Sequence, residues 1–307
     1  MWLRFLMEAT VSKKSRRVWS FKGNIMKQDI VNIDQSEYWN EKSGPKWVKL
    51  DDAMNERFSI LTDKLFARAN INKNERILDI GCGGGETSFR ASKLVGPDGY
   101  VMGADISETL LSFARKKFSN VSNLDFNICD AQNYKFEKAN FDRVISRFGV
   151  MFFENPVEAF RNIRSSLKDG GTISCVSWSD IMKNEFFTEG ASIITKYTQK
   201  NLPAVTQEPG PFAFSDKNYI EQILKRSGFQ GIEIDTIDSC ISTKDTVEKD
   251  VELLINIGPR AKMLSAANLS ERELASIVQE MKFLCRKRQF QGEITYKACL
   301  NYITATK

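Results

Sequence analysis

From residue 76 onward the apolar positions switch between two periods. Five short apolar runs, Arg76–Ile80, Tyr100–Ala104, Leu124–Ile128, Phe141–Ser146 and Thr172–Trp178, predict strands. Between them apolar residues recur at three- and four-residue steps, which predicts helices near Thr87–Leu94, Glu108–Phe118 and Pro156–Leu167. Pro156 suits a first helical turn, and Lys168-Asp169-Gly170-Gly171 stops that helix. Strands separated by helices in this way read as βαβ units, hence an α/β fold with a parallel sheet and helices on both faces. Upstream, Tyr38-Trp39-Asn40 and Ser43-Gly44-Pro45 read as a short element and a turn. Trp47, Leu50, Met54, Phe58, Leu61 and Leu65 then predict one amphipathic helix.

After Trp178 the alternation breaks. An excursion over 181–210 ends in the loop signal Glu208-Pro209-Gly210-Pro211, and Ser215 is placed to cap a helix Asp216–Arg226 stopped by Ser227-Gly228. Strand Ile232–Cys240 follows, then helices over 246–264 and 270–289, the second capped by Asn268 or Ser270, and a last strand Tyr296–Thr304. A strand, a helical insertion and a returning strand suggest an antiparallel hairpin whose connection has grown into a helical lid.

The length of 307 residues fits one large domain with embellishments. Charge divides it unevenly. Residues 1–27 hold seven basic residues and one acidic residue, leaving 37 basic and 38 acidic in the remainder. The net charge of +5 therefore belongs to a leader, and the near-neutral body gives no licence for nucleic-acid binding. The leader reads as a disordered tail, or as sequence upstream of an initiator at Met26, in preference to a targeting segment; residues 28–307 read as the folded domain. No apolar run approaches the roughly 20 residues that span a bilayer. The six cysteines form no C-x-x-C pair and read as reduced thiols of a cytoplasmic protein. The complete absence of histidine excludes a His-dependent hydrolase and a His-ligated zinc site; no metal site is expected.

The chemistry centres on Asp79-Ile80-Gly81-Cys82-Gly83-Gly84-Gly85-Glu86, where a strand feeds a tight glycine turn into a helix. Gly81, Gly83 and Gly85 let the main chain approach a ligand without Cβ contact. A dinucleotide fingerprint starting at Gly81 needs glycine where the chain has Glu86, which counts against a nicotinamide-dependent oxidoreductase. Asp105, in Gly103-Ala104-Asp105-Ile106-Ser107, is placed to accept from a ribose diol, with Ser107 the better helix cap. Asp130, in Cys129-Asp130-Ala131, either accepts from an adenine amine or serves turn chemistry. Ser146-Arg147-Phe148-Gly149 ends the fourth strand, where open α/β sheets bind ligands.

Together with Phe141-Asp142-Arg143-Val144 and Leu167-Lys168-Asp169-Gly170-Gly171, these motifs resemble the class I S-adenosylmethionine-dependent methyltransferases. Within them the resemblance is to the small-molecule branch that includes the ubiquinone and menaquinone biosynthesis enzymes. It is specific over residues 72–178, looser over Tyr38–Leu65 and Pro211–Phe229, and does not cover 246–289. The resemblance implies a Rossmann-like, seven-stranded, mostly parallel sheet with the last strand antiparallel, to which the apolar pattern adds the N-terminal helix and the helical lid. It implies S-adenosyl-L-methionine as cofactor. Gly81, Gly83 and Gly85 would then line its methionine end, and Asp79, placed to accept hydrogen bonds or organise the turn, counts among the cofactor-binding residues. Asp105 with Ile106 would lie at the ribose, Asp130 with Ala131 at adenine, and Ser146 with Arg147 near the transferring methyl. Methyltransferases acting on nucleobase amines or glutamine amides carry an Asn/Asp-Pro-Pro-aromatic run where this chain has Ser146-Arg147-Phe148-Gly149. Oxygen, carbon or aliphatic nitrogen of a small-molecule acceptor remains. No general base is assigned, and Tyr38, Trp47 and Phe148 are candidate aromatic neighbours of the sulfonium. The expected partner is that acceptor, with no nucleic acid and no stable membrane insertion. The rivals are an oxidoreductase and a non-catalytic cofactor-binding module.

Overall fold

The structure is a computed structural model and describes residues 30–307; the basic leader, residues 1–27, lies outside the described residues. The strands among the described residues are β1 (Arg76–Ile80), β2 (Tyr100–Asp105), β3 (Leu124–Ile128), β4 (Phe141–Arg147), β5 (Leu167–Trp178), β6 (Gln230–Thr243), β7 (Gln289–Phe290) and β8 (Glu293–Thr306). They form one sheet in the order β3-β2-β1-β4-β5-β8-β6, with the two-residue β7 paired to β8. The first five strands run parallel, and β8 is antiparallel to both β5 and β6. The expected seven strands are thus present, and β7 adds a short eighth that closes the hairpin before β8.

The helices are α1 (Ile33–Glu37), α2 (Gly44–Lys49), α3 (Asp51–Arg57), α4 (Ser59–Ala69), α5 (Glu86–Val95), α6 (Glu108–Lys117), α7 (Pro156–Ser166), α8 (Glu185–Thr188), α9 (Ala191–Thr198), α10 (Lys217–Arg226), α11 (Val247–Asn256), α12 (Gly258–Ser265) and α13 (Glu271–Arg288). Alternate residues of the parallel strands serve opposite faces. Ile77, Val101 and Ile145 pack with Ala91 of α5 and Leu111 of α6, while Leu78, Met102 and Val144 join Phe160 and Ile163 of α7. Both faces are covered, which is why these strands read as continuous apolar runs.

The single helix expected from Trp47 is three segments, α2, α3 and α4, kinked at Leu50 and Phe58, where ψ opens to 10° and 5°. Hydrogen bonds of the i to i−4 kind cross both joints, from Met54 N to Leu50 O and from Thr62 N to Phe58 O, so the apolar spacing persists through the bends. The helix expected over 246–264 is also two. Ile257 is extended, Gly258 has φ +72°, and Pro259 opens α12. A proline keeps its predecessor out of helical geometry, so the helix restarts there. Asp216, not Ser215, caps α10 by accepting from Asn218 N; Ser270, not Asn268, caps α13. Tyr38–Lys42, expected as a short element, is a π-helical turn between α1 and α2.

The insertion between β6 and β8 is tied to the body by buried charge. Arg57 of α3 donates to Asp250 Oδ1 on α11 at 3.0 Å and to Asp245 Oδ2 at 3.2 Å. Tyr296 of β8 donates its hydroxyl to Asp250 Oδ2, and Cys285 Sγ of α13 lies 3.5 Å from that hydroxyl. Arg260 of α12 gives its donors to three main-chain carbonyls, those of Leu254, Glu189 and Phe186. Burial pushes its pKa down to about 10.

Candidate active site

In this sheet β2 and β3 lie to one side of β1 and β4 to the other, so the crevice of an open α/β sheet falls at the carboxyl ends of β1 and β4. The glycine loop leaves β1 there. Gly81 N and Cys82 N both donate to Ala104 O, at 2.8 and 3.2 Å, which fastens the loop to the end of β2. The three alternating glycines have different reasons to be glycine. A Cβ on Gly81 would stand 2.5 Å from Gly149 Cα, because the loop crosses the turn after β4 in backbone contact. A Cβ on Gly85 would stand 2.6 Å from the Phe126 ring. Gly83 has φ +56° and meets nothing within 4 Å, so it alone of the three borders open space.

Asp79, the last residue but one of β1, is 1 % exposed. Its Oδ2 accepts from Ser88 Oγ on α5 at 2.6 Å, while its Oδ1 is buried with no hydrogen-bond partner. Burial pushes its pKa up to about 7, against the opposing pull of the Ser88 hydroxyl and the Arg147 charge. Asp105 is committed to the backbone: Oδ2 accepts from Gly83 N at 2.8 Å and Oδ1 from Ser107 N at 2.9 Å. Burial raises its pKa as well, with those backbone donors working the other way. Ser107 is the cap of α6, accepting from Leu110 N, as expected. The carbonyl of Ile106 accepts from Asn40 Nδ2 at 3.4 Å.

Asp130 after β3 is engaged by four donors: Val31 N, Asn32 N, Asn32 Nδ2 and Gln132 N. Ala131 is buried beside it, its carbonyl held by Asn162 Nδ2 at 2.9 Å. Ser146 is fully buried and joins the two strand ends, donating to Ile80 O at 2.7 Å and accepting from Gly149 N at 3.1 Å. Arg147 reaches the helices above, donating to Thr62 Oγ1 at 2.9 Å and Asn55 Oδ1 at 2.6 Å. It lines a polar cleft of about 340 Å³ with Asn55, Ser59, Glu86, Arg90 and Lys117.

Behind these groups stands a layer of rings. Phe148, at φ +66°, stacks on Trp178 with centroids 4.4 Å apart and planes 1° from parallel. Phe58 meets both edge-on at 5.3 and 5.8 Å, and Phe187 meets Trp178 and Phe212 in the same way. Of the other aromatic candidates, Tyr38 and Trp47 both pack edge-on against Trp39.

The β1–β4 elements therefore bring Asp79, Gly83, Asp105, Ser146 and Arg147 to one crevice. Sequence reasoning missed Ser88, Asn32, Asn40, Asn55 and Thr62. Ser88 carried a local signal, one helical turn past the glycines; the others come from segments remote in the chain.

The family model described as "Methyltransferase domain" matches residues 71–228. The chain belongs to this methyltransferase family. The match sets aside the oxidoreductase reading. Among relatives of this methyltransferase, the demethylmenaquinone methyltransferase of Staphylococcus carnosus is 25% identical over 206 residues, covering 64% of this chain and 85% of that protein. The demethylmenaquinone methyltransferase of Staphylococcus haemolyticus is 26% identical over 199 residues, covering 62% and 83%. The fold is shared with the YcgJ protein of Bacillus subtilis, at 16% identity and a TM-score of 0.51 over 80% of this chain and 97% of that one. The methyltransferase takes S-adenosylmethionine as its methyl donor. Two features of this structure fit that group: the buried, partnerless Oδ1 of Asp79 suits an ammonium, and Gly83 offers open backbone in the loop that follows it.

Proposed function

We propose that this methyltransferase methylates a small apolar or aromatic acceptor, at oxygen, carbon or aliphatic nitrogen, by in-line displacement. The observation that carries the reading is the ring layer Phe58, Phe148, Trp178, Phe187 and Phe212, set where β4 and β5 end beside the donor crevice. S-adenosylmethionine, when bound, supplies an activated methyl group together with its own leaving group. The residues proposed to hold it are Asp79 at the ammonium, Gly83 and its neighbours in the glycine loop, Asp105 with Ile106 at the ribose, and Ala131 at the base, in the loop that Asp130 anchors. Gly81, Gly85 and Ser146 shape this site by keeping the loop and the β4 turn in contact. Arg147 ties the end of β4 to α3 and α4 through Asn55 and Thr62, which fixes those helices over the crevice.

The protein's main task is alignment of nucleophile and methyl, an effect worth up to roughly 7–11 kcal/mol. An aromatic wall suits such an acceptor because it fixes a flat apolar molecule without competing for the methyl, and Phe148, the one partly buried ring of the layer, would present it while the others back it. The names of the demethylmenaquinone relatives support a small-molecule acceptor of this kind. The excursions over 181–210 and 246–289 would wall the acceptor side, the latter as a fixed flank given the buried Arg57–Asp250 pair. Six free thiols suit a reducing compartment, so the cytoplasm is the proposed site of action.

A methyl-transfer assay against a panel of phenols, hydroquinones, apolar amines, polar metabolites and RNA tests this. Turnover confined to the flat apolar members is expected. Turnover confined to RNA or to charged metabolites overturns the reading.

A further inference from the structure

The carboxylate of Asp130 offers about four lone-pair directions, and donors from the chain itself meet all of them. Oδ2 accepts from Val31 N at 3.0 Å and Asn32 N at 2.8 Å; Oδ1 accepts from Asn32 Nδ2 at 2.7 Å and Gln132 N at 3.1 Å. Asp130 and Asn32 are 3 % and 2 % exposed, so the two bonds from Asn32 are sheltered from water. The other end of the Asn32 amide is also engaged, Oδ1 accepting from Glu154 N at 2.7 Å. One buried side chain thus joins the loop after β3 to the loop after β4, at a separation of 98 residues from Asp130.

From Asn32 the chain continues as α1 and the π-helical turn, and is fastened again at its far end. Asn40 Oδ1 accepts from Thr109 N at 3.2 Å and Ser107 Oγ donates to Trp39 O at 2.9 Å, both at the start of α6. Residues 31–40 are therefore a strap along the carboxyl ends of the strands, held at β3 by Asp130 and at β2 by α6.

We propose that Asn32 and Asp130 form a latch, and that Asp130 is a positioning residue that fixes this strap as the outer wall of the donor site instead of accepting the base amine itself. Turning the carboxylate to an incoming amine would strand the buried main-chain N–H and side-chain amide of Asn32, an arrangement proteins avoid. The inference deepens the donor site proposed above and rests on that reading for its ligand arm alone.

Two measurements on the full chain test it. Amide hydrogen exchange of the unliganded protein is followed over residues 31–40 in wild type, Asp130→Asn and Asn32→Ala. Protection there is expected to fall about tenfold or more in both variants while the β1 and β4 amides keep theirs. Titration then compares S-adenosylhomocysteine with its inosine analogue, which lacks the exocyclic amine. Wild type should bind the two within roughly threefold, and Asn32→Ala should weaken both by the same factor. Unchanged strap protection in the variants overturns the latch. So does strong discrimination between the two ligands in wild type that disappears in Asp130→Asn, since the carboxylate would then meet the amine. If neither ligand binds any form, the donor reading fails, and the exchange measurement still decides the latch. Should Asp130→Asn fail to fold, Asn32→Ala carries both arms, because it removes the amide and leaves the carboxylate.

Discussion

Two buried aspartates show how differently the halves of this molecule use the same group. Asp250 in the helical insertion is fully buried between the Arg57 guanidinium at 3.0 Å and the Tyr296 hydroxyl. Asp79 in the donor half is as deeply buried, yet holds one serine hydroxyl and leaves Oδ1 without a partner. The first carboxylate is satisfied by the fold and holds it together. The second is left short by the fold, and in the proposed donor site a ligand would complete it. Buried charge is a structural tie where its partner is in the chain and a binding device where it is not.

The largest effect should come from breaking the tie. Asp250→Ala strips Arg57 of its fully buried partner and leaves it only the Asp245 carboxylate at 3.2 Å, and a loss of about 3 kcal/mol is expected in denaturant unfolding. Replacing the pair together, Arg57→Met with Asp250→Leu, should recover most of that loss, because the penalty lies in the stranded charge. Equal destabilisation by the single and double variants would mean that the pair stabilises through its own attraction.

At Asp79 the expectation reverses. Its folded pKa of about 7 stands above the ordinary value of 3.8, so the folded state holds the proton more tightly than the unfolded chain. Its contribution is fully present below the unfolded pKa and is lost as pH rises toward 7, so the unliganded protein should lose stability over that window. Asp79→Asn should abolish this slope while weakening donor binding by about 1.5–3 kcal/mol. In wild type, the ammonium of the donor needs the ionised carboxylate, so affinity measured by calorimetry should rise about tenfold between about pH 6 and 8. A flat affinity profile together with a flat stability profile would remove Asp79 from the site.

The two halves were also unequally legible in the sequence. β1 and β3 fall on the residues that the apolar runs marked, Arg76–Ile80 and Leu124–Ile128, because a short strand between turn signals is a local pattern. The kinks at Leu50 and Phe58 were hidden for the opposite reason, since the apolar spacing runs through them unbroken. The Arg57–Asp250 pair spans 193 residues and the Asn32–Asp130 tie 98, and nothing local marks either partner. In the loop, Gly81, Gly83 and Gly85 are one letter three times. Only the neighbours brought in from β3 and from the turn after β4 distinguish packing from open backbone.

That distinction separates two substitutions inside the donor half. Gly81→Ala forces a methyl against Gly149 Cα at φ +67° and should destabilise the fold by about 1–3 kcal/mol, with donor binding lost as a consequence. Gly83→Ala carries only the left-handed strain, about 1 kcal/mol, but places its methyl in the open space that the loop borders. It should fold almost as wild type and bind the donor poorly, so its melting curve and its titration should part company. If both variants lose stability and binding in step, Gly83 is a packing glycine like its neighbours.

The smallest effect lies in the insertion and probes its link to the site. Ser270 caps α13 reciprocally with Glu273, each side chain serving the other's backbone N–H. Ser270→Ala should cost about 1 kcal/mol of stability. The helix packs on α9 and α11, far along the chain from the glycine loop, and its inner residues Ile277, Met281 and Cys285 stay buried in the variant. Donor affinity should therefore be unchanged. If acceptor KM rises while donor binding holds, the insertion is a wall of the acceptor side; if donor affinity falls instead, the halves are coupled through Arg57 and α3, and the separation drawn between Asp79 and Asp250 is one of degree.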